Sequence, residues 1–298
     1  MTPTTLPPPA YIRSFDSTRL AVWDIGPRNA PVLLLINGLG GNLVTWKFVI
    51  DRFRDRLRFI SFDYRGMYDS ERPTNGDFTM DAHARDAVSV LDHFKVDKAL
   101  VMGWSMGVQV CFEVYRRIPG RVVGLILANG AYGTPLDKAP TVLKPAAMPV
   151  VSFLAVAADR LRPVARKLLS NTRPLKLAKK VGLVSQQLDE DVFLDLVQRY
   201  IELDFSAYRD CTASLINHSA EDILEHVKVP TLILGGGRDF FTPKVFSDEM
   251  ARRIPDAELH VIEDASHYCA VEYPQQLVGI MEKWLERVLA PTPKRKRR

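Results

Sequence analysis

Eight short apolar runs punctuate the chain, at residues 11–15, 19–25, 32–36, 58–62, 99–102, 122–128, 231–234 and 258–262. Their lengths and their Gly, Pro, Asn and Asp borders predict β-strands, the first two as a hairpin. Between later runs the apolar spacing lengthens to the period of amphipathic helices, most clearly at 80–94, 108–117, 244–253 and 274–289. This alternation predicts an α/β fold: a mostly parallel, eight-stranded, doubly wound sheet with helices on both faces. One stretch breaks the rhythm. Between the runs ending at 128 and beginning at 231 strand signals are sparse and the spacing is helical, which predicts an inserted helical cap over residues 132–226, with 1–131 and 227–290 as the core.

Composition supports one large unit of this kind. The 298 residues exceed a usual single domain, but an α/β core with an insertion reaches that length, and 47% hydrophobic residues suffice for a large core. The net charge of +5 suggests nucleic acid until it is located: the last five residues, Lys294 to Arg298, carry five positive charges, so the remainder is balanced. Residues 291–298 therefore read as a disordered basic tail, capable of weak contacts with anionic lipid or polynucleotide but not of specific nucleic-acid recognition. The longest apolar stretch, 146–158, contains Pro149 and falls short of the roughly 20 residues of a membrane span. Residues 1–9 lack the pattern of a secretory signal. Cys111, Cys211 and Cys269 are odd in number and show no metal or redox spacing, which fits a reducing compartment. The expectation is a cytoplasmic protein without a metal or organic cofactor.

The chemistry-bearing signal is Gly103-Trp104-Ser105-Met106-Gly107, placed directly between a predicted strand and a predicted helix. A serine on such a turn takes strained backbone angles, while its glycine neighbours allow strand and helix to pass closely; its hydroxyl is held where a carbonyl can reach it. A nucleophilic serine needs a base and an acid to orient that base. Asp239 follows the run 231–234 in a Gly-rich loop, and His267 follows the run 258–262. The order along the chain is Ser, Asp, His, each residue beyond a predicted strand and ahead of a predicted helix. His218, His226 and His260 compete with His267, but His267 alone follows the last strand. Asp264, close to His267 in the same short loop, competes with Asp239 at poorer geometry. Asp63 and Arg65 read as structural links between loops.

With these motifs the chain resembles α/β-hydrolase fold serine hydrolases of the soluble, cap-bearing esterase and lactonase type, over nearly its whole length. Asn37-Gly38-Leu39-Gly40-Gly41 is similar to that family's oxyanion loop, which implies that the backbone N–H groups of Leu39 and Met106 hold the developing oxyanion. Residues 62–70 resemble its Asp-x-Arg-Gly-x-Gly-x-Ser stretch. Asn37 departs from the usual histidine, and Tyr68-Asp69 from a usual small pair. Serine at position 105 argues against the dehalogenases and epoxide hydrolases of this fold, which carry aspartate there, whatever the cap tyrosines Tyr200 and Tyr208 suggest. Position 129, where some members keep their acid, holds Asn129, leaving Asp239 as the orienter. Trp104, Leu39, Met148, Phe153, Phe240 and Phe241 are the expected lining of an apolar pocket. The implied activity is hydrolysis of a small-molecule ester, lactone or thioester. Two alternatives stay open: a carbon–carbon bond hydrolase of dienoate ring-fission products, for which Arg160, Arg162 and Arg166 offer carboxylate partners, and a non-catalytic binding protein on this scaffold.

Overall fold

Strands β3 (Val32–Ile36), β4 (Arg58–Phe62), β5 (Ala99–Trp104) and β7 (Thr231–Gly236) are buried at every position, as strands covered on both faces must be. The computed structural model describes residues 7–133, 173–182 and 184–290. With β1 (Ala10–Arg13), β2 (Arg19–Ile25), β6 (Val122–Ala128) and β8 (Ala257–Ile262), these strands form one eight-stranded sheet in the order β1-β2-β4-β3-β5-β6-β7-β8. Only β2 runs against its neighbours; every other pairing is parallel. The predicted first strand starts one residue late and runs two residues past its end. A tight turn takes over at Ser14, whose N–H donates to Thr18 O at 2.9 Å, with Ser17 at φ 69°.

Side-chain alternation splits the core into two layers. Leu34 and Ile36 of β3 face a cluster shared with α2 (Met80–His93), α3 (Met106–Arg117) and α7 (Lys244–Arg253). Leu33 and Leu35 face the opposite cluster, completed by α1 (Lys47–Phe53) and α8 (Pro274–Val288). Helices cover both faces, so the chain is doubly wound as predicted. The strand order reverses around β3, β4 and β5, the place where such sheets open a crevice beyond the strands' carboxyl ends.

Between β6 and β7 the described chain forms α4 (Arg173–Lys180), α5 (Glu190–Ile201) and α6 (Phe205–Ile216). Asp189 and Asp204 cap the last two by accepting from the N–H groups of Val192 and of Ser206 and Ala207. Leu203, Ala207 and Cys211 join the core cluster, while Leu188, Val192 and Leu196 pack with Val44 and Val271. Met148, Phe153, Arg160, Arg162, Arg166 and the basic tail lie outside the described residues.

Arg65 is fully buried and joins three segments. It donates to both oxygens of Asp86 at 2.7 and 2.6 Å, to Asp16 at 3.0 Å and to Asp77 O at 3.0 Å. Removing one partner strands the other charge without water. Arg65→Met is therefore expected to destabilise the fold by about 3–5 kcal/mol, read as a lower urea midpoint at unchanged slope. A loss under about 1 kcal/mol would mean the network is ornamental to stability.

Candidate active site

Ser105 occupies the junction of β5 and α3 at φ 57° and ψ −120°, a conformation that costs a non-glycine residue energy and that only tight surroundings maintain. The flanking glycines explain how it is maintained. A Cβ at position 103 would lie 2.4 Å from Gly107 O, and one at 107 would lie 2.4 Å from Ile36 O, so strand, helix and neighbouring strand meet only without side chains. The same holds where the other two loops abut. A Cβ on Gly236 would lie 2.5 Å from Ser266 O, and one on Gly237 would lie 2.3 Å from Glu263 O.

That close approach brings together the three residues singled out from the sequence. His267 Nε2 lies 2.8 Å from Ser105 Oγ, and His267 Nδ1 lies 2.8 Å from Asp239 Oδ2. Asp239 Oδ1 accepts from the N–H groups of Phe241 and Thr242, both at 2.9 Å, and Oδ2 accepts from Thr242 Oγ1 at 2.7 Å and Asn129 Nδ2 at 3.1 Å. Burial alone would raise this carboxyl's pKa; the bonds from His267 and Thr242 overcome it and hold the group below its ordinary value. Asp239 is thus an ionised acceptor with every lone pair directed. The histidine loop is fixed from behind: Trp104 Nε1 donates to His267 O at 2.9 Å, and the buried Glu272 accepts from Ser266 N and Oγ, both at 2.6 Å.

The competing residues lie elsewhere. Asp264 pairs with Arg238 on the surface, His260 with Glu258, and His218 with Gln109 and Glu113, while His226 closes the turn Glu221–His226. Asn129, weighed only as the site of an absent acid, contributes by a different route, donating to Asp239 and to Ser266 O at 3.1 Å. The Asn37 departure is also accommodated. Its amide donates to Phe62 O at 3.1 Å and accepts from Trp46 Nε1 at 2.8 Å, while Tyr64 OH donates to its carbonyl at 2.7 Å. Asparagine supplies a donor and an acceptor in one fixed side chain, and the loop 37–41 is anchored by both.

Ser105 opens into a cavity of about 350 Å³ lined also by Leu39, Met106, Trp104 and Phe241. Among the described residues the N–H groups of Leu39 and Met106 have no backbone acceptor outside their own element. Phe240 departs from expectation: it is 84% exposed and packs edge-on against Phe241 rather than lining the cavity. Adjacent residues in this turn point in different directions, and only Phe241 faces inward. The wall that sequence reading missed comes from α5. Phe193, Leu196, Val197 and Tyr200 line the cavity, and their i, i+3, i+4, i+7 spacing is a single helical stripe. Tyr208 and Tyr268 complete an aromatic wall.

The profile of the alpha/beta hydrolase fold family matches residues 31–273, a span that holds every residue of this site. The chain belongs to that family. Among relatives of this hydrolase family, 3-oxoadipate enol-lactonase 2 of Acinetobacter baylyi is 26% identical over 262 residues, covering 88% of this chain and 91% of that protein. In solved structures the fold recurs in an esterase from Exiguobacterium antarcticum, with a TM-score of 0.77 at 20% identity over 93% of this chain and 99% of that one. The enol-lactonase from Burkholderia xenovorans LB400 aligns with a TM-score of 0.74 at 22% identity over 93% of this chain and 99% of that one. Among the described residues no helix of this family member is long and apolar enough to cross a membrane, and no group of three or more His, Cys, Asp or Glu side chains is arranged to hold a metal.

Proposed function

We propose that the protein is a serine hydrolase that cleaves a small-molecule carboxylic ester or lactone through an acyl-enzyme. The observation that carries this reading is the unbroken hydrogen-bonded chain from Asp239 through His267 to Ser105, ending at the floor of a cavity with largely apolar and aromatic walls. In this reading residues 1–131 and 227–290 form the catalytic core, and 132–226 form a cap that selects the substrate.

The steps follow from the geometry. His267 Nε2 takes the Ser105 proton as Oγ attacks the carbonyl carbon, and the carbonyl oxygen becomes an oxyanion between the Leu39 and Met106 N–H groups. His267 then returns the proton to the leaving alkoxide, giving an acyl-serine. Water, deprotonated by the same imidazole, attacks that ester and regenerates Ser105. Asp239 stays ionised throughout, holds the proton on Nδ1 and stabilises the imidazolium. A thioester would pass through the same steps with a thiolate leaving group.

The relatives named as an enol-lactonase and an esterase support the same class of bond. None of the described cavity residues is Lys or Arg, while Arg160, Arg162 and Arg166, on which the dienoate alternative rests, lie outside the described residues. A panel of p-nitrophenyl esters of rising chain length, with neutral lactones beside them, tests the reading against a Ser105→Ala control. Hydrolysis of neutral members, lost in the control, is expected; activity equal in both proteins would refute it.

Backbone donors make a further prediction. Leu39→Pro removes an oxyanion N–H and is expected to lower kcat about 10²–10³-fold, whereas Leu39→Ala, which keeps it, stays within about threefold of the parent. Equal losses in two variants with matching circular dichroism would show that the Leu39 N–H does not hold the oxyanion.

A further inference from the structure

Tyr68 stands where the Asp-x-Arg-Gly-x-Gly-x-Ser pattern has its second glycine, and it stands there at φ 50°, in the left-handed region where a bulky side chain costs backbone energy. Such an angle persists where the surroundings over-determine it. Here they include a hydrogen bond to the neighbouring loop: the Tyr68 hydroxyl donates to Gly40 O. No backbone N–H among the described residues donates to that carbonyl. The ring packs against the core cluster, which leaves the hydroxyl little freedom to swing away. Burial pushes the phenol well above its ordinary pKa, against the lowering effect of the Asn42 side chain, so the group stays a neutral O–H donor.

The Gly40 carbonyl matters because of what lies behind it. The Gly41 N–H, at the other end of the same peptide plane, donates to Gly38 O at 2.9 Å. This closes a turn over residues 38–41 in which Gly40 takes φ 71°, the positive angle of a type II turn's third residue. The Gly38 carbonyl in turn shares its plane with the Leu39 N–H. In a trans peptide the carbonyl and the N–H point opposite ways, so a bond received on one side sets the direction of the donor on the other. A line of hydrogen bonds thus runs from the Tyr68 hydroxyl through the 40–41 and 38–39 peptides to the N–H that faces the oxyanion in the proposed mechanism. Bonds in such a line polarise one another. The turn is packed on both sides: a Cβ on Gly40 would lie 2.4 Å from the Tyr200 ring, and one on Gly38 would lie 2.6 Å from the Trp104 ring.

We propose that Tyr68 is a positioning residue for ester hydrolysis, holding and polarising the Leu39 N–H through these two peptide planes. It is absent from the walls of the cavity onto which Ser105 opens, so it acts through the loop and not on the substrate. The inference rests on the hydrolase reading and on Leu39 as an oxyanion donor. Its effect belongs to the transition state, since the carbonyl oxygen of a bound ester carries little charge until Ser105 attacks. Without the hydroxyl the Leu39 N–H remains but is loosely directed, which gives part of the roughly 10²–10³-fold loss that follows a missing donor.

Tyr68→Phe deletes one oxygen and tests the assignment by steady-state kinetics on a neutral p-nitrophenyl ester, beside titration with a trifluoromethyl ketone, whose Ser105 adduct carries an oxyanion. kcat is expected to fall about tenfold with KM within about twofold of the parent, and the Kd of the ketone to rise about tenfold. A purely structural role would lower the urea midpoint and leave both the kcat of the folded protein and the Kd of the ketone where they were. Tyr68→Gly, which frees the backbone from its strain but brings no donor, is expected to show the same losses, and it carries the test if Tyr68→Phe does not fold. A folded variant with kcat or ketone affinity within about twofold of the parent, or with a loss confined to KM, would overturn the proposal while the hydrolase reading stands. A parent chain that neither turns over ester nor takes up the ketone would overturn both.

Discussion

Ser105→Ala is expected to lower kcat on an activated ester by about 10⁶-fold, to the rate that binding and oxyanion donors alone support. The magnitude follows from what is lost: the hydroxyl is the nucleophile itself, and His267 Nε2 lies 2.8 Å from it. His267→Ala is expected to cost a similar factor, and the double variant little more, because nucleophile and base act as one unit. Stability should not follow activity. Alanine has the same difficulty with φ 57° as serine, so the unfolding midpoint is expected to hold. Steady-state kinetics with purified proteins decide the matter, and more than about one per cent of parental kcat in Ser105→Ala would place the chemistry elsewhere.

Asp239→Asn is expected to lower kcat about 10⁴-fold while leaving the fold intact. The direction comes from the bonds around that carboxylate. Oδ1 accepts from two backbone N–H groups, Phe241 and Thr242, which cannot turn away, so an asparagine must place its carbonyl oxygen there. Its NH₂ then occupies the Oδ2 position, facing His267 Nδ1, Thr242 Oγ1 and Asn129 Nδ2. Thr242 can rotate its hydroxyl. Asn129 cannot reverse its amide without setting oxygen against Ser266 O, so one donor–donor contact persists. The imidazole accepts from the new NH₂, which forces its proton to Nε2 and leaves no base toward Ser105. Activity is expected to recover partly at high pH. Asp239→Asn within tenfold of the parent would mean that Asp239 does not set the tautomer.

The sheet was legible because strands covered on both faces must be nearly all apolar, and β3, β5, β6 and β7 are. The first strand was misplaced because Phe15 continues the apolar run past the point where the backbone turns at Ser14 and Thr18. The order of Ser105, Asp239 and His267 was legible because each follows a strand end. Asn129 and Thr242 were not, since their roles depend on loops from β6, β7 and β8 meeting, a fact held in the glycines at 236 and 237 rather than in any spacing. Phe240 was misassigned because a tight turn offers no periodicity to tell inward from outward. The α5 stripe was present in the sequence, but a stripe facing a cavity and one facing a core look alike until the partner surface is known.

Central to this account is a Ser105 hydroxyl made nucleophilic by His267. Intact mass analysis after treatment with a fluorophosphonate tests that claim most directly. One adduct per chain is expected, localised to Ser105, absent from Ser105→Ala and formed orders of magnitude more slowly in His267→Ala. No adduct on the folded chain, or an adduct that survives in Ser105→Ala, would contradict it.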